Sequence, residues 1–300
     1  KLSNANLSTL VIRCASTLID LMVLSDVAME IILSKRLDDI LLLNVLNDNN
    51  DPLMQISILD LLETKMACNT AGSSTTVHRL QCRWLYDYSR LVNGLLFMAG
   101  GDESEENGGD AFTCGPALRV LSCLMQLSSY PKVQSFIVTE EQTDDYRLLC
   151  QGFHRSLHNF DYNSGGELSR LAFLDAVSSY AGSSPHAMNA VLDDAYLTEG
   201  WLSLAISASN PKMKAAVLNS IASVIDNASS STLTEGENRS KTLSSSLVMR
   251  LFDRVSSINP TRGQPSTTGI LLSLARSPIV ETRLASYNLM RSLSQKCNAG

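Results

Sequence analysis

The chain has 300 residues, of which 44% are hydrophobic and 18% charged, the balance of a folded protein with a continuous core. A net charge of −6 and a pI of about 5.3 argue against nucleic acid as the principal partner, because phosphate binding needs a cationic face. No apolar run reaches the ~18 residues of a membrane span, and the 7 cysteines are odd in number without a C-x-x-C pair, which fits free thiols in a reducing compartment.

Helical periodicity runs through the whole sequence, and no segment alternates with period two. The first predicted helix covers Asn6 to Leu24, with Leu10, Cys14, Leu18 and Leu21 on one face. Two shorter segments follow, Asp26 to Leu33 and Leu37 to Leu46. Asp51-Pro52 then opens a helix whose apolar residues are Met54, Ile58, Leu61 and Leu62. Aspartate accepts a free backbone N–H at a helix start, and proline suits the next position because its missing N–H has no partner to lose. Residues 66–76 read as a loop. Leu80 to Met98 reads as a helix with Trp84, Tyr86, Tyr88 and Phe97.

Residues 100–112 interrupt the pattern with Asp102, Glu103, Glu105 and Glu106 among glycines, and read as a flexible acidic loop. The insert is not an EF-hand: counted from Asp102, the sixth position is Asn107 and the twelfth Thr113, where glycine and glutamate belong. Gly115-Pro116 reads as another helix start, for 116–128. Further helices are expected over 131–139, 144–160, 167–181, 186–195 after Pro185, and 198–208 with Trp201. Asn210-Pro211 opens a helix to Asp226 with Met213, Val217, Ile221 and Val224 in register. Residues 227–246 are mostly Ser, Thr, Asn and Glu, too polar to order alone. Leu247 to Ser257, Gly269 to Ala275 and a helix over 278–294, opened by Ser277-Pro278, complete the chain.

Helix starts recurring at roughly 40 to 65 residues approach the two-helix repeat of HEAT and armadillo arrays. The expected fold is therefore all-α, a HEAT/armadillo-like α-solenoid superhelix forming one domain over 1–300, with flexible loops at 66–76, 100–112 and 227–246. The absence of an initial methionine points to a piece of a longer chain. A solenoid of this kind holds another macromolecule.

Candidate sites are few. The last helix places Arg283, Tyr287 and Arg291 at i, i+4 and i+8, opposite Ala285, Leu289 and Leu293. Arginines with a tyrosine between them suit an acidic partner surface, by carboxylate pairing and by a ring in a pocket; the alternative is a solvated helix face. His154 and His158 have zinc spacing without a third ligand or the glutamate of H-E-x-x-H, so they read as ordinary helix histidines. His78 and His186 are isolated. Asp38-Asp39, Asp144-Asp145 and Asp193-Asp194 are sequence neighbours that point to different helix faces, which rules out a carboxylate dyad. Asp144 and Asp145 suit a first helical turn. Cys14, Cys123 and the other thiols read as small buried hydrophobes. The N-x-S sequons at Asn6, Asn227 and Asn238 read as unused. Trp84 and Trp201 read as core anchors. No phosphate loop, dinucleotide fingerprint or nucleophile elbow occurs, which weakens an enzyme reading.

Two passages, GELSRLAFLDAVSSYAGS at Gly166 to Ser183 and LVMRLFDRVSSINPTRGQPSTTGILLSLARSPIVETRLASYNLMRSLSQ at Leu247 to Gln295, carry a further signal. Their order and texture resemble the proteasome non-ATPase regulatory subunit 5 family, the HEAT-like chaperones of 26S proteasome base assembly. The segment Tyr88 to Phe97 adds to the resemblance, which extends over the last two-thirds of the chain. The acidic insert and residues 227–246 depart from it. It implies a cofactor-free, monomeric cytoplasmic protein, with nuclear occurrence open. Such a protein binds the C-terminal domain of one proteasomal AAA ATPase subunit, without catalysis, and releases it before the mature particle forms. The alternative is a general HEAT/armadillo adaptor with an unrelated partner.

Overall fold

The computed structural model describes residues 4–43, 46, 51–66, 89–101, 111–125, 144–158, 165–208, 210–230, 247, 250–251 and 272–297. Every regular element among them is helical. The expected helix at 131–139, the acidic residues Asp102 to Glu106, Trp84, His78, Cys68 and Cys82 lie outside the described residues. The chain divides into two compact units, Lys1–Val133 with Glu141–Asn159, and Gln134–Glu140 with Phe160–Gly300.

The first unit contains α1 (Asn4–Leu24), α2 (Asp26–Ser34), a π-helical turn (Asp39–Leu43), α3 (Pro52–Met66), α4 (Ser89–Gly100), α5 (Ala111–Met125) and α6 (Asp144–His158). α1 packs on α2, on the π turn and on α3; α3 packs on α5; α4 packs on α5 and α6. Ion pairs stitch the α1–α3–α5 series, Lys65 to Asp20 at 2.5 Å and Arg119 to Glu63 at 2.6 Å. The core includes Ile19, Met22, Leu42, Ile58, Leu59, Leu62, Leu95, Leu118 and Phe153.

Local chemistry sets the starts. The Asp51 carboxylate accepts the Met54 N–H at 3.0 Å and Pro52 follows, as the sequence predicts. The Ser25 hydroxyl caps α2 by accepting the Ala28 N–H at 3.3 Å. Arg36, just beyond α2, adopts a left-handed φ of 54°, and its guanidinium reaches Asp39 at 2.7 Å. Gly101 ends α4 with φ of 77°, donating its N–H to the Phe97 carbonyl at 2.7 Å. The α4–α6 crossing is very close. A Cβ on Gly100 would lie 2.9 Å from the Leu148 Cα, and one on Gly152 would lie 3.0 Å from the Ala99 Cβ.

Several elements depart from the sequence expectation. The buried face of α1 is Ala15, Leu18, Ile19 and Met22, whereas Leu10, Cys14 and Leu21 are exposed. α1 is apolar on both sides, so periodicity alone admits two faces about 100° apart. Pro116 lies inside α5 rather than at its start. A proline this near the N-terminus forgoes only the donation to the Phe112 carbonyl, and extension to Ala111 buries Thr113 and Cys114. Cys123 and Cys150 are half-buried rather than buried. At the edges of the expected loops, Met66, Gly100, Ala111 and Phe112 are helical.

The second unit contains α7 (Gly165–Ala181), α8 (Pro185–Asp193), α9 (Ala195–Ser207), α10 (Pro211–Ser230) and α11 (Val280–Cys297). α7 packs on α8 and α10, α8 on α9, α9 on α10, and α10 on α11. Ser184 caps α8, its hydroxyl accepting the Ala187 N–H at 3.0 Å ahead of Pro185. Asn210 caps α10: its carbonyl accepts from Lys214 N–H at 3.2 Å and its side-chain oxygen from Lys212 N–H at 2.9 Å. The Asn210 amide also bonds Glu167 on α7. Met213, Val217, Ile221 and Val224 are all buried, as their register predicts. α10 runs four residues past Asp226, to Ser230, because a formed helix propagates cheaply through weak formers. Trp201 is fully buried on α9 and donates its indole N–H to Ser220 on α10 at 2.9 Å.

Candidate protein-interaction face

α11 carries the predicted site residues, and α10 positions it. Ala285 and Leu289 are buried on its inner side, together with the small hydroxyl residues Thr282, Ser286 and Ser292. The Thr282 hydroxyl donates to the Pro211 carbonyl at 3.2 Å, pinning one end of α11 to the start of α10. The helix begins at Val280, two residues later than Pro278 suggests. Ser277 spends its hydroxyl on the Ile279 N–H at 3.2 Å, and the Ile279 carbonyl accepts the first helical N–H, from Arg283, at 3.1 Å. The Ser-Pro pair thus forms the approach to the helix and Ile279 its cap.

The three predicted residues are not equivalent. Tyr287 is 52% exposed. Arg291 is exposed and lies 3.7 Å from Asp226 on α10, a long pair between open side chains. Arg283 is half-buried, and its guanidinium donates to the Ser277 carbonyl at 3.2 Å, bracing the approach to its own helix. The structure therefore brings Tyr287 and Arg291 to one outer face and sets Arg283 at its flank. Sequence reasoning missed Val280 and Leu284, which are 50% and 56% exposed on that same face. Their spacing with Tyr287 is the available signal. It is hidden because α11 has apolar residues on every side and apolar residues are assigned to cores by default.

Other candidates have structural explanations. The Cys114 thiol is fully buried on α5, 3.3 Å from the Ser156 hydroxyl and 3.7 Å from the Gly152 carbonyl of α6. Burial pushes its pKa up, against weaker opposing effects of Ser156 and Arg155, so it is a packing group rather than a ready nucleophile. His154 is half-buried on α6 and His186 is exposed on α8. Among the described residues no group of three or more His, Cys, Asp or Glu is placed to hold a metal ion.

The adjacent acid pairs divide their work. Asp193 pairs with Arg250, which also donates to Asn189 at 2.9 Å, while Asp194 caps α9 by accepting the Leu197 N–H at 2.9 Å. Asp144 and Asp145 open α6, in its first turn. Asp38 is only 3% exposed, and one of its carboxylate oxygens has no hydrogen-bond partner. Burial raises its pKa above the ordinary carboxylate value; the Asp39 N–H opposes that, the Asp39 charge adds to it, and Arg36 opposes it weakly.

Among the described residues, no helix is long and apolar enough to cross a membrane. Comparison with family models, curated proteins and solved structures gave no match.

Proposed function

We propose that the chain is a protein-binding α-solenoid that acts as a chaperone for assembly of the proteasome base. The observation that carries the solenoid reading is the helix layering inside each unit. α1, α3 and α5 pack in series, starting at Asn4, Pro52 and Ala111; α7, α10 and α11 do the same from Gly165, Pro211 and Val280. Equivalent helices packed in series at intervals of roughly 45 to 70 residues are what a degenerate helical repeat with insertions produces. The family resemblance of Gly166 to Ser183 and Leu247 to Gln295 then supplies the client, the C-terminal domain of one proteasomal AAA ATPase subunit.

The mechanism is steric and needs no catalysis or cofactor. The solenoid covers the ATPase domain, blocks premature docking, and leaves when the correct neighbours compete for the same surface. Differential affinity for the free and the assembled ATPase gives the process its direction. The protein acts as a cytoplasmic monomer, and Tyr287 and Arg291 contribute to the grip, with Arg283 bracing their helix.

The test is a pull-down of the separated C-terminal domains of the six proteasomal ATPases, at low and physiological salt. One domain is expected to be retained selectively, and less firmly as salt rises. A folded helical protein that retains none of the six would end the chaperone reading.

A further inference from the structure

Val280, Leu284, Tyr287 and Arg291 recur at i, i+4, i+7 and i+11, the spacing of a helix seam that meets another helix. At ~100° per residue they fall within about 60° of one another. Thr282, Ala285, Leu289 and Ser292, all buried, lie on the opposite side. A helix face turned to solvent is ordinarily polar. α11 turns outward three large side chains, each at least half exposed.

The charge of the chain segment that carries this seam is also distinctive. Residues 272–297 hold Arg276, Arg283, Arg291 and Lys296 against the single acid Glu281, a net +3 in a chain whose total is −6. Arg276 and Arg291 are exposed, before and towards the far end of the helix. The long Arg291–Asp226 pair leaves the guanidinium free to take a second carboxylate.

We propose that the outer face of α11 docks an acidic amphipathic helix of a partner protein. The partner's apolar stripe lies along Val280, Leu284 and Tyr287, and its flanking carboxylates meet Arg276 and Arg291. This rests on the protein-binding reading above and adds the partner's element and chemistry to it.

The test is fluorescence anisotropy of the full chain with a labelled helical peptide bearing leucines at i, i+3, i+4 and i+7 and flanking glutamates. A companion peptide has lysines in place of the glutamates. The acidic peptide is expected to bind and the basic one not to. Leu284→Asp is expected to weaken binding about tenfold or more, as loss of a central anchor does, with an unchanged thermal melt. Arg276→Glu with Arg291→Glu should invert the preference between the two peptides. Equal affinity for both peptides, or undiminished binding by Leu284→Asp, overturns the proposal. So does sedimentation showing a dimer that Leu284→Asp dissociates, which would assign the seam to a second copy. An ATPase domain captured equally by the native chain and by Leu284→Asp removes the seam and leaves the chaperone reading standing. Acidic-peptide binding at the seam, with no ATPase domain captured, does the reverse.

Discussion

Gly100 lets the backbones of α4 and α6 meet, and the atom nearest a new Cβ would belong to the Leu148 main chain, which cannot rotate away. Gly100→Ala is expected to cost about 1–3 kcal/mol or more, read as a lower urea midpoint; an unchanged midpoint would mean the crossing relaxes freely. In the sequence this glycine sits at the border of a glycine-rich stretch, so its packing role was invisible. Asp38 is a second case. As one of two adjacent acids, nothing marked it as the buried member. Its native carboxyl holds a proton more tightly than the unfolded chain does, so stability falls as pH rises through the window between its unfolded and folded pKa values. Asp38→Asn should therefore raise the melting temperature at neutral pH, with the gain shrinking in acid. A gain that persists unchanged in acid would mean the charge is not its source.

The capping chemistry of α3 and α10 was legible because Asp-Pro and Asn-Pro each have one comfortable place in a helix. The same rule misled at Pro116, where burying Thr113 and Cys114 outweighs one forgone hydrogen bond, and at Pro278, where Ile279 takes the cap. Facial register was legible for α10, whose polar positions leave one reading, and not for α1, whose apolar residues spread over two adjoining faces. Asn210→Ala removes a cap and the tie to Glu167 and should cost ~1 kcal/mol in chemical denaturation; no loss would show that water replaces both. Trp201→Phe deletes the indole bond to Ser220 and leaves a void between α9 and α10. An expected loss of about 1–3 kcal/mol would appear in the same measurement, and a neutral result would mean that the site collapses around the smaller ring.

Each of the two compact units has its own buried core, built around Ile19, Ile58 and Phe153 in the first and around Trp201, Val217 and Phe173 in the second. Residues 160–300 expressed alone should accordingly give a helical circular dichroism spectrum and a cooperative melt. A broad, non-cooperative melt would show that this core needs the rest of the chain. At this scale the all-α class was legible from periodicity alone. The candidate site was half legible: Tyr287 and Arg291 stand out as polar and aromatic residues at helical spacing. Val280 and Leu284 do not, because exposure is a property of what packs nearby and no local pattern encodes it.

The inner face of α11 has one more consequence. Thr282, Ala285, Ser286 and Ser292 let it lie close to α10 while releasing little apolar surface from water per residue, and the Ser292 hydroxyl bonds back to the Asn288 carbonyl of its own helix at 3.1 Å. Such a helix is snug in fit and shallow in energy. Its amide hydrogens should exchange with deuterium sooner than those at the centre of α10, through local openings well below the cost of unfolding the unit. A ligand on its outer side would then announce itself as slowed exchange along α11, readable by mass spectrometry before the ligand's identity is known.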